Sequence, residues 1–215
     1  VGDTGRMLLL RILLPDRPGS LGAVASAMGT AGADIAAIEI VEKGVGFAID
    51  HFMLTLPPGA MPDNLVSVVN LVPGVKVLWL SRHPEGWGLE SDIEALEKMT
   101  ADPGRAAEIL TQSAPTVFYC QWAGLLDTRS GTVIHTSEMA PDLDRRAIEQ
   151  LAPLEGTRRF ELPDGWIENW GQTAIALSPI GADRCIVLGR LGGPEFLDSE
   201  MSRLQHLSAF TERTA

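Results

Sequence analysis

The stretch Leu14-Pro15-Asp16-Arg17-Pro18-Gly19-Ser20-Leu21 limits what this chain can fold into more than any other. It separates an apolar run, Met7 to Leu14, that reads as a strand from a helical pattern of Leu21, Val24, Ala25, Met28 and Ala31. Pro18 fixes φ and cannot extend a strand ladder, while Gly19 lets the backbone turn sharply. A helix starting here leaves its first N–H groups unpaired and partially positive. Such a junction suits a small anionic or zwitterionic molecule.

The same alternation continues. Ile35 to Glu42 and Phe47 to Leu56 read as strands joined at Lys43-Gly44-Val45-Gly46, Pro62 opens a second helix, and Val75 to Leu80 closes a sheet. Two helices over one four-stranded antiparallel sheet is the simplest packing of this order. Leu8, Leu10, Ile12 and Leu14 are expected to face the helices, with Leu9, Leu13 and Phe52 on the other face. A sheet apolar on both faces needs cover on both, from a second copy or from the C-terminal half, and a homodimer is expected.

Asp16-Arg17-Pro18-Gly19-x-Leu21 followed by Gly32-Ala33-Asp34-Ile35 resembles an ACT domain, over roughly Met7 to Leu80. The resemblance implies a ferredoxin-like βαββαβ module that binds amino acids, regulates another function and commonly dimerises. It places effector contacts at Leu14 and Asp16 in the turn and at Asp34 at the second strand's start, within a binding set of Asp16, Arg17, Pro18, Gly19, Ser20, Leu21, Asp34 and Ile35. Serine-binding members carry histidine at the Leu14 position and asparagines at those of Asp16 and Asp34, so serine specificity does not transfer. Ionised aspartate only accepts hydrogen bonds, so Asp16 and Asp34 favour a ligand's ammonium group. Its carboxylate then needs Arg17 or the N–H groups of Gly19, Ser20 and Leu21. The structural alternative is that Asp16 caps the turn and Asp34 bonds its own backbone.

Residues 83–90 are rich in Pro and Gly and read as a linker between domains at 1–82 and 91–215. Ser91 with Glu94 suggests a capping box opening a helix, and Asp102-Pro103 a second helix ending near Ser113. Strands are expected over Thr116 to Asp127 and Thr132 to Ser137, a helix over Leu143 to Leu151, and a short strand from Arg158. A hairpin follows around Gly181-Ala182-Asp183, then a last helix after Leu197. Trp122-Ala123-Gly124-Leu125-Leu126-Asp127, the run Ala174 to Gly181, Ile186 to Arg190 and Phe196-x-x-x-Glu200-x-x-x-Leu204 resemble a GAF-like domain. That implies a five- or six-stranded antiparallel sheet with helices on one side and a pocket on the other. The overall class is α+β. Pocket candidates are Trp122, Phe160, Trp166 and Trp170 beside Arg158 and Arg159, against the plainer reading that they fill core.

Charge and motifs narrow the function. The net charge is −11, with residues 1–90 at −3 and 91–215 at −8, which argues against nucleic-acid or anionic-membrane surfaces. No secretory pattern or bilayer-length apolar run is visible, so a cytoplasmic protein is expected. No phosphate-binding glycine loop, zinc pattern or nucleophile elbow occurs, and no cofactor, metal or catalytic residue is expected. Cys120 and Cys185 read as buried thiols in paired strands, close enough to leave a redox role open. The chain is read as a non-enzymatic regulator that binds a small molecule and signals to an unidentified protein partner. A ligand-free dimerising scaffold and an enzyme using the GAF-like pocket remain alternatives.

Overall fold

The computed structural model describes residues 7–82, 89–161, 166 and 173–214. The chain divides into two compact units, Val1–Glu85 and Gly86–Ala215. Its class is α+β, with two antiparallel sheets.

In the first unit, β1 (Leu8–Pro15), β2 (Asp34–Gly44), β3 (Phe47–Thr55) and β4 (Lys76–Arg82) form a sheet in the order β2-β3-β1-β4. Helices α1 (Ser20–Thr30) and α2 (Pro62–Asn70) pack on one face. Their Val24, Met28, Leu65 and Val69 meet Leu10, Ile12, Leu14, Phe52 and Leu54 in one buried cluster. This is the ferredoxin-like arrangement expected from the ACT resemblance. Phe52 corrects the expected facing: it pairs with Leu10 and so points at the helices. The opposite face carries Leu9 and Met53, and it also buries charge. Arg11 Nε donates to His51 Nε2 at 2.7 Å, and the Arg11 guanidinium stacks 5.7 Å from the Trp79 ring.

In the second unit, α3 (Leu89–Ala101), a 3₁₀ turn (Pro103–Arg105) and α4 (Ala106–Val117) precede β5 (Trp122–Asp127) and β6 (Thr132–Thr136). Next come α5 (Arg145–Glu149), β7 (Arg158–Phe160), β8 (Thr173–Ile180), β9 (Arg184–Leu191) and α6 (Asp198–Thr214). The sheet order is β6-β5-β9-β8-β7, antiparallel throughout. Helices α3, α4 and α6 cover one face through Met99, Leu110, Leu204 and Leu207. The other face packs Trp122, Leu126, Ile175, Leu177 and Val187 under Ile148 and Leu151.

Three expectations need correction here. The helix does not start at Ser91, which is buried inside α3; Leu89 and Glu90 of the expected linker open that helix, and 83–88 lie outside the described residues. The expected strand from Thr116 begins only at Trp122, because α4 runs through Pro115 to Val117 and Tyr119 turns the chain at φ 49°. Cys120 therefore sits in that turn, in the cluster under α4, while Cys185 pairs with Leu126 and packs on the opposite sheet face. The two thiols are not neighbours. Burial pushes each up to about 12. A folded thiol that keeps its proton above the ordinary value of 9.0 while the unfolded thiol loses it lowers stability as pH rises from 9 toward 12. Neither thiol is expected to react with a disulfide reagent at pH 8 until the chain unfolds; rapid labelling of native protein would contradict this burial.

Candidate functional site

The β1–α1 junction is open by construction. Gly19 adopts φ 90°, the left-handed region that a side chain strains, and α1 starts with no side-chain cap. The Ser20 N–H turns back to the Arg17 carbonyl at 3.2 Å, and the Ala23 N–H reaches the Gly19 carbonyl at 3.0 Å. Between them, the N–H groups of Leu21 and Gly22 have no partner among the described residues. Arg17, Pro18 and Gly19 are exposed, Ser20 is half-buried, and Leu21 shows its side chain to solvent. Leu14 does not face this opening; it is 3% exposed in the helix-covered core.

Asp16 does not cap the helix. Its N–H donates to the Gly46 carbonyl at 3.2 Å and its Oδ1 meets the Lys43 Nζ at 3.0 Å. Both side chains are exposed, so this ion pair contributes about 0–1 kcal/mol and is easily exchanged. Asp34 lies elsewhere. Pro15 pairs with Phe47 whereas Asp34 pairs with Thr55, so within one copy they stand at opposite ends of the sheet. Eight residues of strand separate those rows, roughly 27 Å at the usual strand rise. No single amine can touch Asp16 and Asp34 of the same copy. Ile35 is half-buried beside Asp34 and packs against the helix-side core.

Asp50 joins Asp16 at this end, and sequence reasoning missed it. Its β3 neighbours of the same parity, Ala48, Phe52 and Leu54, are all core. Asp50 is paired across the sheet with Ile12 on one side and Ile40 on the other. It is 2% exposed, and its Oδ1 has no hydrogen-bond partner among the described residues. Burial raises its carboxyl above the ordinary 3.8; the Lys43 charge pulls it down and the Asp16 charge pushes it further up. The signal was a carboxylate at a core parity of an apolar strand.

A raised carboxyl lowers stability once ionised, and the penalty is relieved as pH falls through its folded value toward 3.8. Asp50→Asn is therefore expected to stabilise the chain at pH 7 by about 1 kcal/mol. The gain should shrink toward pH 4. Urea unfolding at the two pH values reads it, and a gain independent of pH would contradict the assignment.

In the second unit, the described residues on the face that the GAF-like resemblance reserves for a pocket pack against one another. Trp122 is fully buried, Phe160 packs against the same cluster, and the Trp166 Nε1 donates to the Ala147 carbonyl at 3.1 Å. Trp170 lies outside the described residues. Arg158 donates to the carbonyls of Pro153 at 2.7 Å and Leu151 at 3.1 Å, and Arg159 bonds the Phe196 carbonyl and Asp198. These arginines tie loops together. Among the described residues no cluster of His, Cys, Asp and Glu could hold a metal ion, and no helix is long and apolar enough to cross a membrane.

The first unit is thus a ferredoxin-like module with an uncapped strand–helix junction. Residues 8–70 match the family model of the ACT domain, and this segment is an ACT domain. Similar solved structures include an unknown protein from Galdieria sulphuraria, 12% identical with a TM-score of 0.32, covering 86% of this chain and 79% of that one. Another is a protein provisionally assigned as a glycine cleavage system transcriptional repressor, 9% identical with a TM-score of 0.30, covering 97% of this chain and 91% of that one. A search of curated proteins finds no match.

Proposed function

We propose that this chain is a non-enzymatic regulatory protein whose ACT domain senses an amino acid at the β1–α1 junction, between two copies of the chain. The observation that carries this reading is the uncapped start of α1 at Gly19 beside the exchangeable Asp16–Lys43 pair. The free N–H groups of Leu21 and Gly22 suit a ligand carboxylate, reinforced by the helix dipole and by Arg17. Pro18, Gly19 and Ser20 shape the backbone around it, and Asp16 accepts from the ligand's amine.

The dimer follows from the outer strand. β2 is an edge of the sheet, and it exposes Ile38 and Ile40 at 40% and 54%. A long edge with apolar side chains is a template for pairing with another chain. Two β2 edges paired antiparallel about a twofold axis at Glu39 set residue 34 of one copy opposite residue 44 of the other. Gly44 pairs with Phe47, and Phe47 with Pro15, so Asp34 and Ile35 of the second copy come to the same end of the joined sheet as Asp16 of the first, whose side chain leans toward that edge through Lys43. The GAF-like second unit then passes the ligand-dependent change to a protein partner, in the cytoplasm.

The same exposed edge also favours a scaffold that dimerises without ligand. Thermal unfolding of the full chain against each of the twenty amino acids at about millimolar concentration separates the two. A ligand at a hundred times its Kd adds about 2.7 kcal/mol, a shift of a few degrees. The sensor gives one selective shift that Asp16→Ala and Asp34→Ala each abolish; the scaffold gives none.

A further inference from the structure

Asp50 has no structural partner that explains it. A core position between Ile12 and Ile40 would ordinarily hold a third aliphatic residue, and a buried carboxylate with an unpaired oxygen is costly there. Two observations relate it to the junction. It stands on the sheet face that α1 covers, and the charges acting on it are those of Lys43 and Asp16. Lys43 spends its ammonium on Asp16 at 3.0 Å, leaving Asp50 Oδ1 without a donor. The next core-side position outward is Ile40, more than half exposed on the edge strand, so Asp50 is approached from the rim of the sheet.

We propose that Asp50 is a specificity-determining residue that receives a side-chain ammonium group, and that the junction therefore selects a basic amino acid. This rests on the reading of the junction as an amino-acid site. Charge supports it. Asp16, Asp50 and Asp34 of the second copy bring three carboxylates, Lys43 and Arg17 offset two, and a ligand with two ammonium groups and one carboxylate balances the remaining charge where a neutral zwitterion leaves it. The ligand's carboxylate lies on the start of α1, its α-ammonium between Asp16 and Asp34 of the second copy, and its side-chain ammonium on Asp50 Oδ1.

The test titrates the full chain, wild type and Asp50→Asn, with L-lysine, L-ornithine, L-norleucine, Nε-acetyl-L-lysine and 1,5-diaminopentane. Wild type is expected to bind lysine or ornithine at least tenfold more tightly than norleucine or acetyl-lysine, and Asp50→Asn to lose that preference. The comparison of lysine with acetyl-lysine needs only wild-type protein, so it decides the matter even if the variant folds poorly. Norleucine binding as tightly as lysine, or a preference that survives Asp50→Asn, overturns the role of Asp50 and leaves the amino-acid site standing. Diaminopentane binding that Asp50→Asn abolishes, with no response to any amino acid, keeps Asp50 as an ammonium site and overturns the amino-acid reading. No response to any probe overturns the role of Asp50, while the amino-acid reading stands or falls on the thermal shifts with all twenty amino acids.

Discussion

Glu200→Ala is expected to cost about 3–5 kcal/mol, because it strands a fully buried guanidinium. Arg190, at the end of β9, is 0% exposed. Its Nη2 donates to Glu200 Oε1 at 2.6 Å and to the Phe118 carbonyl at 2.7 Å, and its Nε to the Tyr119 carbonyl at 3.1 Å. Its Nη1 reaches the Pro194 carbonyl at 3.2 Å, and the guanidinium lies 4.0 Å from the Phe196 ring centre. One side chain thus joins the end of α4, the last strand and the approach to α6. Glu200 supplies a buried carboxylate to that set, and its Oε2 also accepts from the Leu197 N–H at 2.7 Å at the start of α6. Removing it leaves the carbonyl acceptors and takes the bonded carboxylate away from a fully buried guanidinium. Glu200→Gln keeps the shape and should cost less. Urea unfolding followed by circular dichroism reads both, and a Glu200→Ala loss below about 1 kcal/mol, the range of an exposed ion pair, would contradict the burial of this pair.

Gly189→Ala is the second large effect. Gly189 of β9 pairs across the sheet with Trp122 of β5, whose ring lies over the glycine; a Cβ built there overlaps the ring. Trp122 is fully buried among Leu126, Ile175 and Val187 and has no open side to move into. Overpacking of a well-filled core costs about 1–3 kcal/mol, and a methyl placed on an immobile indole belongs at the top of that range or above it. A smaller residue under the clash should relieve it. In a Trp122→Leu background, Gly189→Ala is expected to cost at least 1 kcal/mol less than in wild type, a coupling of the size seen between touching residues (about 0.5–3 kcal/mol). Additive losses would contradict the contact.

Both effects lie in the unit that sequence described less well, and the reasons are physical. The β8–β9 hairpin was legible residue for residue, because Gly181-Ala182-Asp183 punctuates two apolar runs that cannot be helical at that length. The ACT unit was legible for the same reason: Pro18-Gly19, Gly44 to Gly46 and Pro73-Gly74 mark its turns. Residues 113–121 carry no such mark. Ala114, Val117, Phe118, Tyr119 and Cys120 carry apolar character across from α4 to β5, and Pro115, which usually ends a helix, is carried inside one. The helix-to-strand change rests on Tyr119 in a left-handed conformation, which no sequence pattern announces. The site divides in the same way. The open turn at Gly19 follows from Pro and Gly chemistry. Asp50 does not, because alternation in β3 was anchored with Phe52 on the wrong face; moving Phe52 to the helix side brings Asp50 with it. The separation of Asp16 and Asp34 was implicit in a β1–α1–β2 connection, which makes β1 and β2 run parallel and puts the end of one far from the start of the other.

That separation gives the most direct test of the sensing account. Asp16→Ala and Asp34→Ala chains, each unable to bind alone, are mixed in equal amounts, allowed to exchange subunits, and titrated by calorimetry with the amino acid that gave the thermal shift. A site built from Asp16 of one copy and Asp34 of the other leaves each mixed dimer with one intact site and one doubly altered site. With random exchange the account predicts recovery of about a quarter of the wild-type sites, at wild-type affinity. No recovery in a mixture shown to contain mixed dimers would mean that the two aspartates do not meet across two copies, and the junction would not be the shared amino-acid site described here.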